Sequence, residues 1–352
     1  MSEPQVVASR YAPLPIAPAP GPARRRLWKA AIKWPMYAVA VMPVLLAAGW
    51  RYGRGLPVRA DQLLLFLLAA VLLLAWENLA NDVFDADTGV DASGKPHSLV
   101  NLTGRRDRVA ALANGALLLG LALMALVALR SSAEVLALVL VCCGLGYLYQ
   151  GPPFRLGYRG LGEPLCWLAF GPCATAAALL ALAPAASGLA ASGLAVGGLA
   201  VGGAGSGPTV VPWGTALLLG SGPALATSLV LFCSHFHQVA EDAAHGKRSP
   251  VVQLGTAAAA GLVPWLIAAS LALQWAPVLL GLWPLSALLG VIGLPPARAL
   301  IQLLRDHHDQ PERIGGSKFL ALRFQALNGL GLAVGLALAP LLTPLLTPLG
   351  LR

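Results

Sequence analysis

Two polar segments interrupt an otherwise apolar chain, and both carry oxygen side chains at helical spacing. The first, WENLANDVFDADTGVDASGKPHSLVNLTG at 76–104, places Asn81 and Asp85 four residues apart with Asp82 beside them. Residues four apart share one helical face. Carboxylates crowded at the end of an apolar helix are costly unless a cation compensates them, and Mg²⁺ prefers such oxygen ligands completed by water and phosphate. This segment therefore indicates a Mg²⁺ site.

The second polar segment, SHFHQVAEDAAHGKRSPVVQLGT at 234–256, repeats the spacing with Gln238 and Asp242. Lys247 follows these oxygens, as Lys95 follows those of the first segment. Oxygen ligands beside cations fit a diphosphate that is bridged by a metal ion and neutralised by lysine or arginine. An interfacial histidine is more often hydrogen-bonded than a metal ligand, so the roles of His235 and His237 stay open.

A third polar segment, GYLYQGPPFRLGYRGLGEP at 146–164, contains glycines and prolines that break helices. Tyr147 and Tyr149 are candidates for substrate contact, although tyrosines near a membrane also serve as interfacial anchors. Arg155 and Arg159 are cationic. We expect a structured loop that faces the same site as the two acidic segments.

These segments must be positioned by membrane helices. The chain is 57% hydrophobic and only 11% charged, whereas soluble domains carry about 25% charged residues. The apolar blocks have the length that a helix needs to cross a bilayer. Nine blocks are predicted as spans: 34–50, 62–81, 109–129, 134–150, 162–183, 213–236, 251–272, 277–294 and 319–347. The predicted fold is all-α, a polytopic bundle of about nine transmembrane helices around a central cavity.

The basic residues indicate orientation rather than nucleic-acid binding, although the net charge is +9. With a cytoplasmic N-terminus, 19 of the 24 Lys and Arg residues fall in the N-terminal segment, in the loops after the second, fourth, sixth and eighth spans or at the start of the ninth span. This distribution follows the positive-inside rule and places the three polar segments on the cytoplasmic side.

The remaining segments indicate no further chemistry. Residues 1–33 are predicted as a disordered, basic cytoplasmic tail that precedes the membrane domain at 34–347. Residues 184–212 are rich in Ala and Gly and are predicted as a flexible loop on the opposite side. All five cysteines lie in apolar blocks, so neither a disulfide framework nor a cysteine metal site is expected.

Together, the motifs NDVFDADTGVD, LYQGPPFRLGYRGLGE and HFHQVAEDAAHGKRSPVVQLGT resemble the UbiA superfamily of intramembrane prenyltransferases. The similarity extends over about 35–345 and is greatest to the branch that prenylates 1,4-dihydroxy-2-naphthoate, in particular its phytyl-transferring members. The resemblance implies Mg²⁺-dependent transfer of a phytyl group from its diphosphate to the naphthoate, with loss of CO₂, in phylloquinone or menaquinone biosynthesis. It also implies an integral protein of an inner, plasma or thylakoid membrane.

The resemblance also implies roles for individual residues. The catalytic candidates are Asp85, Asp242 and Asn81, and the metal-ligand candidates are Asn81, Asp82, Asp85, Asp91 and Asp242, with Asp87 as an extra carboxylate. The candidate diphosphate ligands are Lys95, Arg155 and Lys247. The candidate substrate contacts are Asn78, Tyr147, Tyr149, His235 and Gln238.

The sequence departs from the family pattern at two positions. Gln238 stands where the second motif usually has Asp, which weakens a second metal site or shifts its work to Glu241 and the histidines. The Tyr-x-x-x-Lys element of some relatives is incomplete, because Pro153 follows Tyr149 at that spacing.

Other functions stay open from the sequence alone. Homogentisate, chlorophyllide or 4-hydroxybenzoate would be alternative acceptors for the same chemistry, and geranylgeranyl or longer polyprenyl groups alternative donors. A secondary transporter with intramembrane carboxylates is a more remote alternative, because transporter sites usually lie at broken helices in mid-membrane. A structural subunit would not need two acidic clusters on one side.

Overall fold

The computed structural model describes residues 21–90, 95, 97–184 and 210–346. Within these residues the chain is helical and contains no strand. Asp91, residues 1–20 of the predicted tail and residues 185–209 of the predicted loop lie outside the described residues.

The α-helices are α1 (Gly21–Ile32), α2 (Ala38–Gly53), α3 (Ala60–Thr88), α4 (Leu99–Thr103), α5 (Arg106–Leu129), α6 (Ala133–Gln150), α7 (Gly162–Leu168), α8 (Ala174–Ala181), α9 (Trp213–Ser234), α10 (Val239–Ala244), α11 (Pro250–Leu254), α12 (Thr256–Leu279), α13 (Leu294–His307), α14 (Pro311–Ile314), α15 (Ser317–Ala337) and α16 (Ala339–Leu346).

Nine helical stretches of the described chain are long and apolar enough to cross a membrane, as predicted. They are Arg25–Gly53, Ala60–Thr88, Arg106–Leu129, Ala133–Gln150, Gly162–Ala181, Trp213–Ala244, Thr256–Leu279, Leu285–His307 and Pro311–Ala337. Their surfaces fit lipid rather than water: Leu64 and Leu118 are each 68% exposed, and hydrocarbon chains can cover such side chains. The chain is therefore a multi-pass integral membrane protein.

The seventh and eighth spans differ from the predicted 251–272 and 277–294. The seventh begins at Thr256, because Gly255 has a left-handed φ of 78° that separates it from α11. It then continues through Pro277 to Leu279. The eighth span begins only at Leu285, after a turn that contains Gly281 (φ 70°).

Residues 21–32, which belong to the tail predicted as disordered, form α1 in the structure. This stretch contains Ala, Arg, Leu and Lys, which favour helix. A left-handed residue, Lys33, and a 3₁₀ turn at Trp34–Tyr37 separate α1 from α2.

The second span is long enough to carry polar chemistry beyond the hydrocarbon. Helix α3 has 29 residues, which at 1.5 Å per residue give a length of about 44 Å, against about 30 Å of hydrocarbon. It ends at Gly89, whose left-handed φ of 77° is the usual C-terminal cap geometry. Its last two turns, which include Asn81 and Asp85, can therefore lie at the membrane interface.

Glycines and buried amides bring the last spans into close contact. A Cβ at Gly331 would meet the carbonyl of Leu289, and one at Gly335 would meet that of Ser286. Buried polar bonds join the ninth span to both neighbours: Gln274 Nε2 of the seventh span donates to Asn328 Oδ1 over 2.8 Å, and Asn328 Nδ2 donates to the carbonyl of Gly290 in the eighth over 3.0 Å. Small residues and interhelical hydrogen bonds are the main means by which helices associate in membranes.

Candidate active site

A cavity of about 300 Å³ lies between the spans and has one polar end and one apolar end. The apolar part is lined mainly by the second to fifth spans: Phe66, Ala70, Leu73, Leu74, Trp76, Met124, Val139, Leu145, Leu165, Ala169, Phe170 and Ala174. The polar part is lined by Lys33, Glu77, Asn78, Asn81, Asp85, Lys95, His97, Tyr149, Gln150, His235, His237, Gln238, Lys247 and Lys318. The cavity can thus hold a molecule with an anionic head and a hydrocarbon tail.

The first acidic segment presents Asn81 and Asp85 to the cavity, because α3 continues unbroken through both. Lys95 Nζ lies 3.1 Å from Asp85 Oδ2 and 3.3 Å from Asn81 Oδ1. Asp85 is only 3% exposed. The predicted pairing of an amide and a carboxylate on one helical face is confirmed.

Two other acids of this segment point away from the cavity. Asp82 accepts hydrogen bonds from Lys33 Nζ at 3.0 Å and from the amide of Leu99 at 2.9 Å. Asp87 receives two bonds from the guanidinium of Arg106, at 2.6 and 2.7 Å. Both carboxylates therefore join α3 to neighbouring segments, and neither lines the cavity.

The second acidic segment is not a continuous helix, contrary to the predicted shared face of Gln238 and Asp242. Helix α9 ends at Ser234, a 3₁₀ turn covers Phe236–Gln238, and α10 starts after Gln238, whose φ of −121° is not helical. This break lets Gln238 line the cavity while Asp242, which is fully buried, lies behind it.

Asp242 acts on the cavity through its neighbours. Its Oδ1 lies 3.1 Å from Lys247 Nζ, and its Oδ2 lies 3.3 Å from His235 Nδ1. Both of these partners line the cavity. The remaining ring nitrogen of His235 lies 3.7 Å from Glu163 Oε1. Asp242 therefore orients a lysine and a histidine toward the polar end.

Tyr158 links the two acidic segments, a role that the sequence prediction did not assign. Its hydroxyl donates to Asp85 Oδ1 over 3.1 Å, and the Lys247 ammonium lies 5.7 Å from the centre of its ring. Its carbonyl accepts a bond from the amide of Arg248 at 2.7 Å. Burial and the negative charge of Asp85 raise the pKa of Tyr158 above its ordinary value of 10. The phenol therefore remains a hydrogen-bond donor to Asp85 at neutral pH.

The other candidates of the third segment divide into two groups. Tyr149 lines the cavity, and a Cβ at Gly157 or Gly162 would overlap its ring, so these glycines make room for it. Tyr147 instead donates to the carbonyl of Pro152 and does not line the cavity. Arg155 also lies outside the lining, with its guanidinium 5.8 Å from the Tyr158 ring.

Five residues that line the polar end carried no individual prediction: Lys33, Glu77, His97, Gln150 and Lys318. Lys33 and Lys318 directly precede the predicted first and ninth spans (34–50 and 319–347), and a single cation at such a position is typical of a charge at the membrane interface. Glu77 lies one helical turn before Asn81, and a Cβ at Gly146 would meet its carboxylate. Its i, i+4 spacing to Asn81 is the signal that could have identified it.

The donor set at the polar end fits Mg²⁺. Asn81 and Asp85 offer oxygen atoms only, and Mg²⁺ is usually held by one or two carboxylates together with water and substrate phosphates. Among the described residues, no three His, Cys, Asp or Glu side chains come together as an all-protein metal cage. An ion held by Asn81 and Asp85 would leave positions in its coordination open to water and substrate oxygens.

Comparison with known sequences agrees with this geometry. Residues 40–324 match the model of the UbiA prenyltransferase family. The chain is 40% identical over 320 residues to a 2-carboxy-1,4-naphthoquinone phytyltransferase of Synechocystis, covering 91% of this chain and 95% of the relative. It is 37% identical over 316 residues to the chloroplastic enzyme of the same name from Arabidopsis thaliana, covering 89% of this chain and 77% of that one.

Solved structures share the fold at low sequence identity. A digeranylgeranylglyceryl phosphate synthase superposes with a TM-score of 0.53 at 16% identity, covering 90% of this chain and 99% of that one. A UbiA homologue from Archaeoglobus fulgidus bound to GPP and Mg²⁺ gives 0.52 at 16% identity, covering 89% and 99%. With the match of the family model over most of the spans, these findings show that the chain belongs to the UbiA prenyltransferase family.

Proposed function

We propose that this enzyme transfers a phytyl group from phytyl diphosphate to a 2-carboxylated 1,4-naphthoquinone nucleus, in its reduced form 1,4-dihydroxy-2-naphthoate. The 40% identity to the Synechocystis phytyltransferase, over nearly the whole of both chains, is the observation that carries this proposal. The cavity supports it, because its polar end suits a diphosphate and its apolar part suits an isoprenoid tail.

The residues at the polar end of the cavity have different roles in binding the prenyl diphosphate. Lys95 and Lys247 offset the charge of the diphosphate, and Asn81 and Asp85 would hold Mg²⁺ against its oxygens. Bound Mg²⁺ would supply stabilisation of the departing diphosphate. Tyr158 keeps the Asp85 carboxylate oriented. Asp91, Arg155 and Tyr147 remain predictions as ligands, since Asp91 lies outside the described residues and the other two do not line the cavity.

The proposed reaction breaks the allylic C–O bond and forms a bond from the phytyl C1 to the ring carbon that bears the carboxylate. The carboxylate then leaves as CO₂, and the electron pair of its C–C bond restores the aromatic ring. The sum of an allylic cation and an aryl carboxylate is a neutral prenylated ring and CO₂, so no further reagent is needed. The apolar walls exclude water that would otherwise capture the cation.

We also propose that the polar end faces the cytoplasm. The excess of Lys and Arg in the N-terminal segment and in the loops after the even-numbered spans supports this orientation. Single cysteines introduced at Arg105 and Arg130, on opposite sides, test it by labelling of intact cells with an impermeant thiol reagent. The proposal predicts labelling at 130 only.

An assay of the membrane fraction tests the reaction. It contains phytyl diphosphate, 1,4-dihydroxy-2-naphthoate and Mg²⁺, with homogentisate as alternative acceptor, geranylgeranyl diphosphate as alternative donor and EDTA as control. We expect a phytylated 1,4-dihydroxynaphthalene, detected as the phytylated naphthoquinone after oxidation by air during extraction, that is lost with EDTA and restored by Mg²⁺. Product from homogentisate alone would contradict the acceptor assignment, and activity that is unaffected by EDTA would contradict the metal assignment.

A further inference from the structure

The polar end of the cavity contains four lysines from four separate segments, and three of them face a carboxylate. Lys33 pairs with Asp82 at 3.0 Å, Lys95 with Asp85 at 3.1 Å and Lys247 with Asp242 at 3.1 Å. The fourth is Lys318, in the first turn of α15. Within the described part of the chain Lys318 has no acidic partner. Its ammonium lies 5.5 Å from the centre of the Phe319 ring, and no carboxylate of the described residues offsets its charge.

The surroundings of Lys318 favour an anion. His97 and His237 line the same end of the cavity and lie within electrostatic range of its ammonium. Lys33 and Lys95 lie close enough to repel it. His237 Nδ1 is buried without a hydrogen-bond partner in the described residues. A partly buried ammonium beside an unsatisfied ring nitrogen leaves both groups available to a ligand oxygen.

The two substrates of the proposed reaction are both anions. The donor's diphosphate is met by Lys95 and Lys247, which belong to the two acidic segments. The acceptor's carboxylate also needs a cation once it leaves water, because an unpaired buried carboxylate is strongly destabilised. We propose that Lys318, with His237, binds the carboxylate of the aromatic acceptor. This inference rests on the proposed function, since it requires an aryl carboxylate as the second substrate.

Equilibrium binding tests this subsite without turnover. The probes are 1-hydroxy-2-naphthoate and its uncharged carboxamide, titrated into the purified full chain in detergent with Mg²⁺ and inorganic pyrophosphate present. We expect Lys318→Met to weaken binding of the naphthoate about tenfold or more, as loss of a charged hydrogen bond does. Lys318→Arg should retain most of the affinity. Binding of the carboxamide should be the same in all variants.

Arg323→Met is the matched control, because Arg323 lies on the same helix but is exposed and does not line the cavity. It should bind both probes as the unmodified protein does. Thermal melting of each variant verifies folding, and if Lys318→Met melts early, Lys318→Gln replaces it in the comparison with Lys318→Arg.

Two outcomes would overturn the inference. One is unchanged naphthoate affinity in the folded Lys318→Met variant. The other is a loss of pyrophosphate affinity with unchanged naphthoate affinity, which would assign Lys318 to the donor. Failure of the proposed function is distinguishable, because it appears as absence of phytylated naphthoquinone from the unmodified enzyme, whatever the effect of Lys318 on binding.

Discussion

Lys33 Nζ donates a hydrogen bond to Asp82 Oδ1 over 3.0 Å, and this contact joins the turn between α1 and α2 to the end of the second span. Asp82 is 1% exposed and also accepts the amide of Leu99. Asp85, three residues later, faces the cavity instead. Asp82 and Asp85 belong to one motif but have different surroundings, so substitutions of the two residues should have different effects.

We predict that Asp85→Asn and Asp82→Asn fail in different ways. Asp85→Asn should lower kcat by a factor on the order of 100 or more in protein that remains folded, because it removes charge at the reacting diphosphate. Asp82→Asn should instead cost about 1–3 kcal/mol of stability through the lost contacts of Lys33 and Leu99. Steady-state rates and thermal melts of both purified variants check this. A stable but inactive Asp82→Asn enzyme would instead support the predicted metal-ligand role of Asp82.

Tyr158 should matter through its hydroxyl. Tyr158→Phe removes the donor to Asp85 Oδ1 but keeps the ring beneath Lys247. We expect kcat to fall about tenfold, the usual effect of losing one hydrogen bond to a charged group. Tyr158→Leu should lose more, because the Lys247 ammonium then also loses its aromatic partner. Rates at saturating phytyl diphosphate measure both effects, and equal rates in Tyr158→Phe and the unmodified enzyme would contradict the role assigned to the hydroxyl.

His97 should make folding sensitive to mild acid. Burial and the positive charges of Lys318, Lys33 and Lys95 lower the pKa of His97 from 6.5 to about 4. On acidification the unfolded chain therefore binds this proton first. The stability that depends on neutral His97 is complete above pH about 6.5 and declines as the pH falls toward 4.

Thermal melts at several pH values between 7 and 4.5 measure this dependence. His97→Gln should show a smaller fall in melting temperature than the unmodified protein, whereas His245→Gln, at an exposed position, should show the same fall. An unchanged pH dependence in His97→Gln would contradict the proposed source of the sensitivity.

The sequence predicted the parts of this protein that local pattern determines. The nine apolar blocks correspond to nine helical stretches of the described chain that are long enough to cross a membrane. The i, i+4 spacing of Asn81 and Asp85 correctly predicted that both side chains line the cavity, because α3 is unbroken. The same reasoning was wrong for Gln238 and Asp242, since a 3₁₀ turn intervenes there. Spacing predicts a shared face only while the helix continues.

The roles of Tyr158 and Lys318 could not be predicted in this way. Tyr158 reaches Asp85 across 73 positions of sequence. Lys318 reaches the cavity because the ninth span packs beside the second polar segment, where Ser317 Oγ donates to the carbonyl of Cys233. Such contacts depend on how the helices pack against one another, and a local sequence motif does not reveal that packing.

The packing of the ninth span gives a final prediction on stability. Gly331 and Gly335 lie against the carbonyls of Leu289 and Ser286, so that an added methyl group must separate the two segments. Separation would also stretch the 2.6 Å bond from Ser286 Oγ to the carbonyl of Gly335. Gly331→Ala and Gly335→Ala should each cost about 1–3 kcal/mol, as overpacking usually does.

Gly261→Ala is the matched control, because Gly261 lies in helix α12 and nothing is within 4 Å of its added Cβ. In a helix interior, alanine is favoured over glycine by about 1 kcal/mol, so this variant should melt at the same or a higher temperature. Melting in detergent measures all three variants. If Gly331→Ala and Gly335→Ala were as stable as Gly261→Ala, the close approach of the eighth and ninth spans would not be the reason for glycine at these positions.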